Sequence, residues 1–108
     1  MEPRVLAEAV RSSVDATAHH VAHRDDDTAT VTAAVVRLLL GHPSARELRH
    51  DIGWRRTLRR FEELAAEVGP PPLDGGDCVQ HFAAVALASA RRRVEDQGTF
   101  MTDEETMR

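Results

Sequence analysis

The ten residues VTAAVVRLLL, Val31–Leu40, constrain this chain more than any others. Thr32 and Arg37 are their only polar members. At about 100° per residue, Val31, Ala34, Val35, Leu38 and Leu39 form a main helical stripe. Ala33, Val36 and Leu40 cover much of the rest. A helix apolar nearly all round must lie centrally in a fold or at an interface. The run is far too short to span a bilayer, so it needs neighbouring helices. Gly41 followed by Pro43 stops it. Asp27 or Thr28 is suited to cap its start, where negative charge complements the helix dipole. The pattern predicts a helix over about 28–40.

The neighbours are legible on either side. Leu6, Val10, Val14, Thr17 and Val21 recur at helical spacing and predict a first helix over about 3–23. Glu8, Asp15, His19 and His23 fall on its opposite face. After Pro43, Ser44-Ala45-Arg46-Glu47 reads as a capping box opening a third helix over about 44–68. Its apolar residues do not keep one phase. Leu48 and Ile52 define one face, and Trp54, Leu58, Phe61, Ala65 and Val68 another. The change falls at Gly53, so a kink or break is expected there. Residues 69–76, GPPPLDGG, read as a loop. Asp77 is placed to cap a fourth helix over 77–97, with Val79, Phe82, Ala83, Ala86, Ala90 and Val94 facing inward. Gln97-Gly98 should end it. The acidic tail 99–108 is expected either to add a short helix, capped through Thr102-x-x-Glu105, or to stay disordered. No segment alternates like a strand. The expectation is an all-α bundle of four to five helices, with residues 1–98 as one domain.

Composition refines this picture. The chain has 108 residues, with 42% apolar, three Phe, one Trp and no Tyr. Such a length suits one domain. A core of Ala, Val and Leu permits close helix approach but offers few large anchors, so help from a second subunit is expected. All basic residues are arginine, and the net charge is −4, which weighs against a dedicated nucleic-acid binder. One cysteine excludes an internal disulfide and makes the cytoplasm the default location. No charged-then-apolar leader opens the sequence, and no membrane association is expected.

Two segments carry family resemblances. Residues 44–64, SARELRHDIGWRRTLRRFEEL, resemble helix-turn-helix regulators over some twenty residues. Gly53 supplies a tight turn. Arg55, Arg56, Arg59 and Arg60 share the face opposite Trp54, Leu58 and Phe61, and Thr57 adds a hydroxyl. The resemblance implies contacts from these five residues to phosphates and base edges. The pattern departs from that family at Arg49, where a small residue is usual four before the glycine, and at Leu58, which comes one residue early. No wing-like hairpin follows. The second segment, Arg37-Leu-Leu-Leu-Gly-His42, is similar to the R-x4-H motif of HEPN ribonucleases, which are small helical bundles. It would give Arg37 a phosphate-stabilising role and His42 a proton-transfer role. Leu38 departs from that pattern, where a polar residue is usual.

Three further groups bear on chemistry. Asp15, His19 and His23 follow Asp-x3-His-x3-His, a spacing at which side chains one turn apart can share a metal. They project away from the apolar face, which suits no buried structural site. Cys78 and His81 form another ligand pair at the start of the fourth helix. In its first turn the dipole would favour the Cys78 thiolate, but no firm base partner accompanies it. P-loop, G-x-S-x-G, H-E-x-x-H and Rossmann patterns are missing, and no cofactor is implied.

The leading reading is a non-catalytic helical interaction or regulatory domain, self-associating or bound to a partner protein. Val36, Leu40, Trp54 and Val85 are its candidate interface residues, with the lone Trp as the natural anchor. The alternative is a helix-turn-helix DNA binder. The third is a HEPN-like ribonuclease or a metal-binding helical protein.

Overall fold

A computed structural model describes the backbone of residues 2–69 and 76–107, and the side chains of residues 2–69 and 76–97. The described residues form an all-α bundle without strands. Its elements are α1 (Pro3–Ala22), α2 (Asp26–Leu40), a 3-10 helix (Pro43–Leu48), α3 (Ile52–Ala65) and α4 (Gly76–Met107). At 1.5 Å per residue the 32-residue α4 is roughly 48 Å long, which accounts for the 52 Å long dimension of the molecule.

α1 is the central element, packing against α2, α3, α4 and the 3-10 helix. Pro3 starts it, since a missing N–H costs nothing in the first turn. Val5, Leu6, Ala9, Val10 and Val14 are all buried. Its end is a Schellman turn. The Arg24 N–H donates to the Val21 carbonyl (3.1 Å) and the Asp25 N–H to the His20 carbonyl (2.9 Å). Arg24 takes φ 57°, the left-handed conformation that such a turn requires and that glycine adopts most readily. The reversal lays α2 back along α1. Thr17 and Thr32 meet between the two helices with their hydroxyl oxygens 3.0 Å apart. Thr17 also donates to the Ser13 carbonyl (2.8 Å), so this fully buried hydroxyl is satisfied.

α2 is buried through Ala29, Ala33, Val35, Val36 and Leu39. That face differs from the stripe expected from sequence. Leu38 is 46% exposed, and Val31 and Ala34 are only partly covered. An all-round apolar helix has no phase of its own, so α1 decides which side is inside. The cap also moves two residues upstream. The Asp25 carboxylate accepts from the Thr28 N–H at 3.4 Å, and Asp26 and Asp27 fall within the first turn. Thr28, through its side-chain hydroxyl first and its N–H second, holds the Asp25 carboxyl below its ordinary pKa.

The expected third helix is two elements. The Ser44 capping box does not start it. Instead His42 caps the 3-10 helix, its Nδ1 accepting from the Ser44 N–H at 3.1 Å. The break comes at Arg49–Asp51, not at Gly53. Asp51 caps α3 by accepting from the Trp54 N–H at 2.8 Å, which places Gly53 inside the first turn. Trp54 and Phe61 are buried and Leu58 and Leu64 partly so, as the phase of that segment requires. α3 ends at Ala65, three residues short of expectation.

α4 starts at Gly76, so Asp77 lies in its first turn instead of capping it. Ala83 and Ala90 are buried against the bundle, and Val79, Ala86, Leu87 and Val94 pack partly on it. Phe82, expected inside, is 47% exposed. The small side chains of Ala83 and Ala90 allow close approach, and the larger Phe82 is left at the margin. Gly98 does not end the helix, which continues to Met107. Of the loop expected over residues 69–76, residues 70–75 lie outside the described residues and Gly76 opens α4.

Candidate functional site

The chain directions follow from the contacts. Glu8 of α1 bonds Arg93 of α4, and Ser12 to His20 of α1 lie beside Phe82 to Ala86. α1 and α4 are therefore antiparallel. α2 reverses along α1, so α2 and α4 run parallel.

Between them lies a groove of about 310 Å³. Val31 and Val35 of α2 face Phe82 and Val85 of α4, over a floor that includes Ser12 and Ala16 of α1. Val85 is 48% exposed. Leu38 continues the Val31–Val35 row one turn on. Leu38, Phe82 and Val85 are three of the large apolar side chains that the described structure leaves substantially in solvent; Ile52, 68% exposed on α3, is another.

A second apolar groove, of about 580 Å³, brings Leu40 and Trp54 together with Leu58 and Phe61. Arg46, Arg49 and Glu62 also line it. The four candidate interface residues thus divide. Val36 is enclosed in the core, and Trp54 is 5% exposed beneath this second groove. Leu40 packs partly on the core. Val85 stands open on the first groove. Periodicity did not mark Leu38 or Phe82 as surface residues, because both sit on apolar rows of their helices.

The five basic-face residues also divide. Arg55, Arg56 and Arg59 are exposed around Ile52. Among the described residues no carboxylate lies within ion-pair reach of these three. Arg60 instead pairs with Asp15 of α1. The Thr57 hydroxyl donates to the Gly53 carbonyl at 2.9 Å. The segment preceding α3 is a six-residue 3-10 helix.

Asp15 is held by Arg11 (3.2 Å) as well as by Arg60. The His19 and His23 rings lie 4.2 Å apart, centre to centre, and His23 Nδ1 is 2.8 Å from the His19 carbonyl. No group of three His, Cys, Asp or Glu among the described residues is arranged to hold a metal ion. Cys78 is free and exposed, and the His81 ring contacts Phe82. Of the R-x4-H pair, Arg37 lies over the Phe61 ring (5.9 Å), while His42 caps the 3-10 helix.

Glu8 carries a cluster of two arginines, one from its own helix and one from α4. Glu8 accepts from Arg11 (Nη2 at 2.5 Å, Nε at 3.2 Å) and from Arg93 Nε (2.9 Å). These bonds, led by that from Arg11, lower the Glu8 pKa against the opposing effect of burial. Arg11 is shifted upward by the same contact. One terminal nitrogen of Arg93 is buried without a partner among the described residues. Among the described residues no helix is long and apolar enough to cross a membrane.

No family model, curated protein or solved structure matches this chain.

Proposed function

We propose that this protein is a non-catalytic helical interaction domain that receives another protein surface on its α2–α4 face. The observation that carries this reading is the pairing of Phe82 and Val85, each about half exposed, with Val31 in the lining of the α2–α4 groove. Single exposed apolar residues are ordinary on protein surfaces, but a contiguous group marks an interaction site. The aromatic-poor core points the same way, since it gains from burial contributed by another chain.

The test uses the wild-type chain and the variants Val85→Glu and Phe82→Ser, each with its helix content verified by circular dichroism. Light scattering reads self-association, and affinity capture reads bound proteins. The domain is expected to form an assembly of one kind or the other, lost in both variants. Wild type and variants that behave alike in both assays would overturn the reading.

A second reading is a nucleic-acid interface on α3. It is favoured by the exposure of Arg55, Arg56 and Arg59 without carboxylate partners among the described residues. Phosphate-driven binding weakens steeply with salt. Binding to a mixed-sequence duplex at low salt, abolished by raised salt and by changing the three arginines to Gln, would promote it. No binding at low salt removes it.

A further inference from the structure

We infer that His19 and His23 form a two-ligand site for a divalent transition-metal ion of the zinc class, at the C-terminal end of α1. The inference is independent of the α2–α4 face.

Both histidines are exposed, and they stand one turn apart. The helical register holds through the pair, since the His23 N–H donates to the His19 carbonyl at 3.1 Å. Side chains four apart therefore share one face, the arrangement in which two helical imidazoles meet one ion. The rings are 4.2 Å apart, centre to centre, and tilted by 33°. Two nitrogens on one tetrahedral zinc ion lie roughly 3.3 Å apart, a separation that rotation of the His19 ring can supply. The ring nitrogens of His19 make no hydrogen bond among the described residues, so that rotation breaks none.

The tautomer of His23 is set by its neighbour. Its Nδ1 is 2.8 Å from the His19 carbonyl oxygen. That oxygen only accepts, so Nδ1 carries the proton and Nε2 keeps its lone pair for an ion. A ring N–H given to a backbone carbonyl is the outer contact that metal-binding histidines usually make.

Charge at this end of α1 favours a cation. The last carbonyls of a helix carry partial negative charge. Asp26, Asp27 and Glu67 line one depression with Val21. The exposed Arg24 opposes them. The nearest further donors are engaged elsewhere. Asp15 is held by Arg11 and Arg60. His20 lies 3.8 Å from Asp25 and lines the α2–α4 groove. Two protein ligands leave the other positions of a tetrahedral ion to water, so the site is open and exchangeable, unlike a closed structural one. Imidazole donors select zinc, copper or nickel over magnesium or calcium.

The test is isothermal titration calorimetry of the full chain, without a histidine tag, using zinc chloride and separately magnesium chloride. The expected result is one zinc ion per chain and no magnesium binding at the same concentrations. His19→Ala and His23→Ala should each weaken zinc binding on the order of a hundredfold, the gain that a linked second donor brings. His20→Ala, Asp15→Asn and Cys78→Ser/His81→Ala should leave it unchanged. Circular dichroism checks that each variant keeps its helix content. In the wild type, zinc should shift the NMR ring signals of His19 and His23 and leave those of His50 and His81 in place.

Zinc binding that survives in His19→Ala/His23→Ala would overturn the site, as would its loss in Cys78→Ser/His81→Ala. Loss in Asp15→Asn or His20→Ala would overturn the two-ligand composition. Magnesium that competes with zinc would mean that carboxylates hold the ion, which also overturns the inference. So does a chain that takes up no zinc at millimolar concentration.

Discussion

The α1–α2 hairpin and α4 are built from the same small apolar residues and use them differently. In the hairpin, Leu6, Val10, Val14 and Val36 are sealed, and even Thr17 and Thr32 are paired inside. α4 is twice as long as α2, yet its buried residues on the described stretch are Ala83 and Ala90. Phe82 and Val85 remain half in water. The hairpin's apolar surface is consumed by the chain itself, whereas part of α4's is not. Burial of about 25 cal/mol per Å² of apolar surface drives both folding and association. The unspent portion is therefore where a partner gains most.

This contrast can be broken by substitution. Leu6→Ala, deep in the hairpin, should cost about 2–5 kcal/mol, measured as a drop in the urea midpoint. Phe82→Ala should cost under about 1 kcal/mol in dilute, monomeric protein, because half its surface is already hydrated. Equal costs would mean that α4 is as much core as the hairpin.

Local determinants sharpen the contrast at smaller scale. Asp51→Ala removes the cap of α3 and should lower stability by about 1 kcal/mol, with loss of helicity near Trp54 visible in its fluorescence. Arg24→Gly should stabilise the hairpin by up to about 1 kcal/mol, because the left-handed φ is less costly for glycine. A destabilised Arg24→Gly protein would show that the side chain, not the turn, matters there.

The Glu8 cluster, led by Arg11 and joined by Arg93 of α4, has a pH signature. Glu8 is depressed in the folded state, so its contribution is present above the unfolded pKa. It is lost as pH falls through the lower folded pKa. Its arginine partners are about half exposed, which limits the effect to at most about 1 kcal/mol. Glu8→Gln should therefore flatten the acid limb of the stability curve and leave its neutral shape unchanged. An unchanged acid limb would mean that the Glu8 pairs with Arg11 and Arg93 do not contribute to stability. The smallest effect belongs to Val85→Glu. It should change monomer stability by less than about 0.5 kcal/mol while removing any assembly on the α2–α4 face.

Part of the surface was legible, and the differences share a cause. Val85 was named as an interface candidate and is half exposed, and the exposure of Arg55, Arg56 and Arg59 followed from the phase of α3. Val36 and Trp54 were expected at an interface and lie in the chain's own core. Phe82 was expected inside and lies half outside. Arg60 and Asp15 were assigned to separate chemistries, and the fold pairs them across 45 residues of sequence. In each case the missing information was which helix docks against which side.

By itself the sequence determined the helical class, the existence of each long helix and the sharp division of α3 into an apolar and a basic face. Those properties follow from periodicity, caps and stop residues, which act within a few turns of chain. Only the tertiary structure decided which side of the evenly apolar α2 is buried, why Phe82 stands out beside Ala83, and that Phe82 and Val85 share a groove with Val31 and Val35. Those properties depend on contacts between residues far apart in sequence, and a helix that is apolar all round carries no local signal of which contacts it will make.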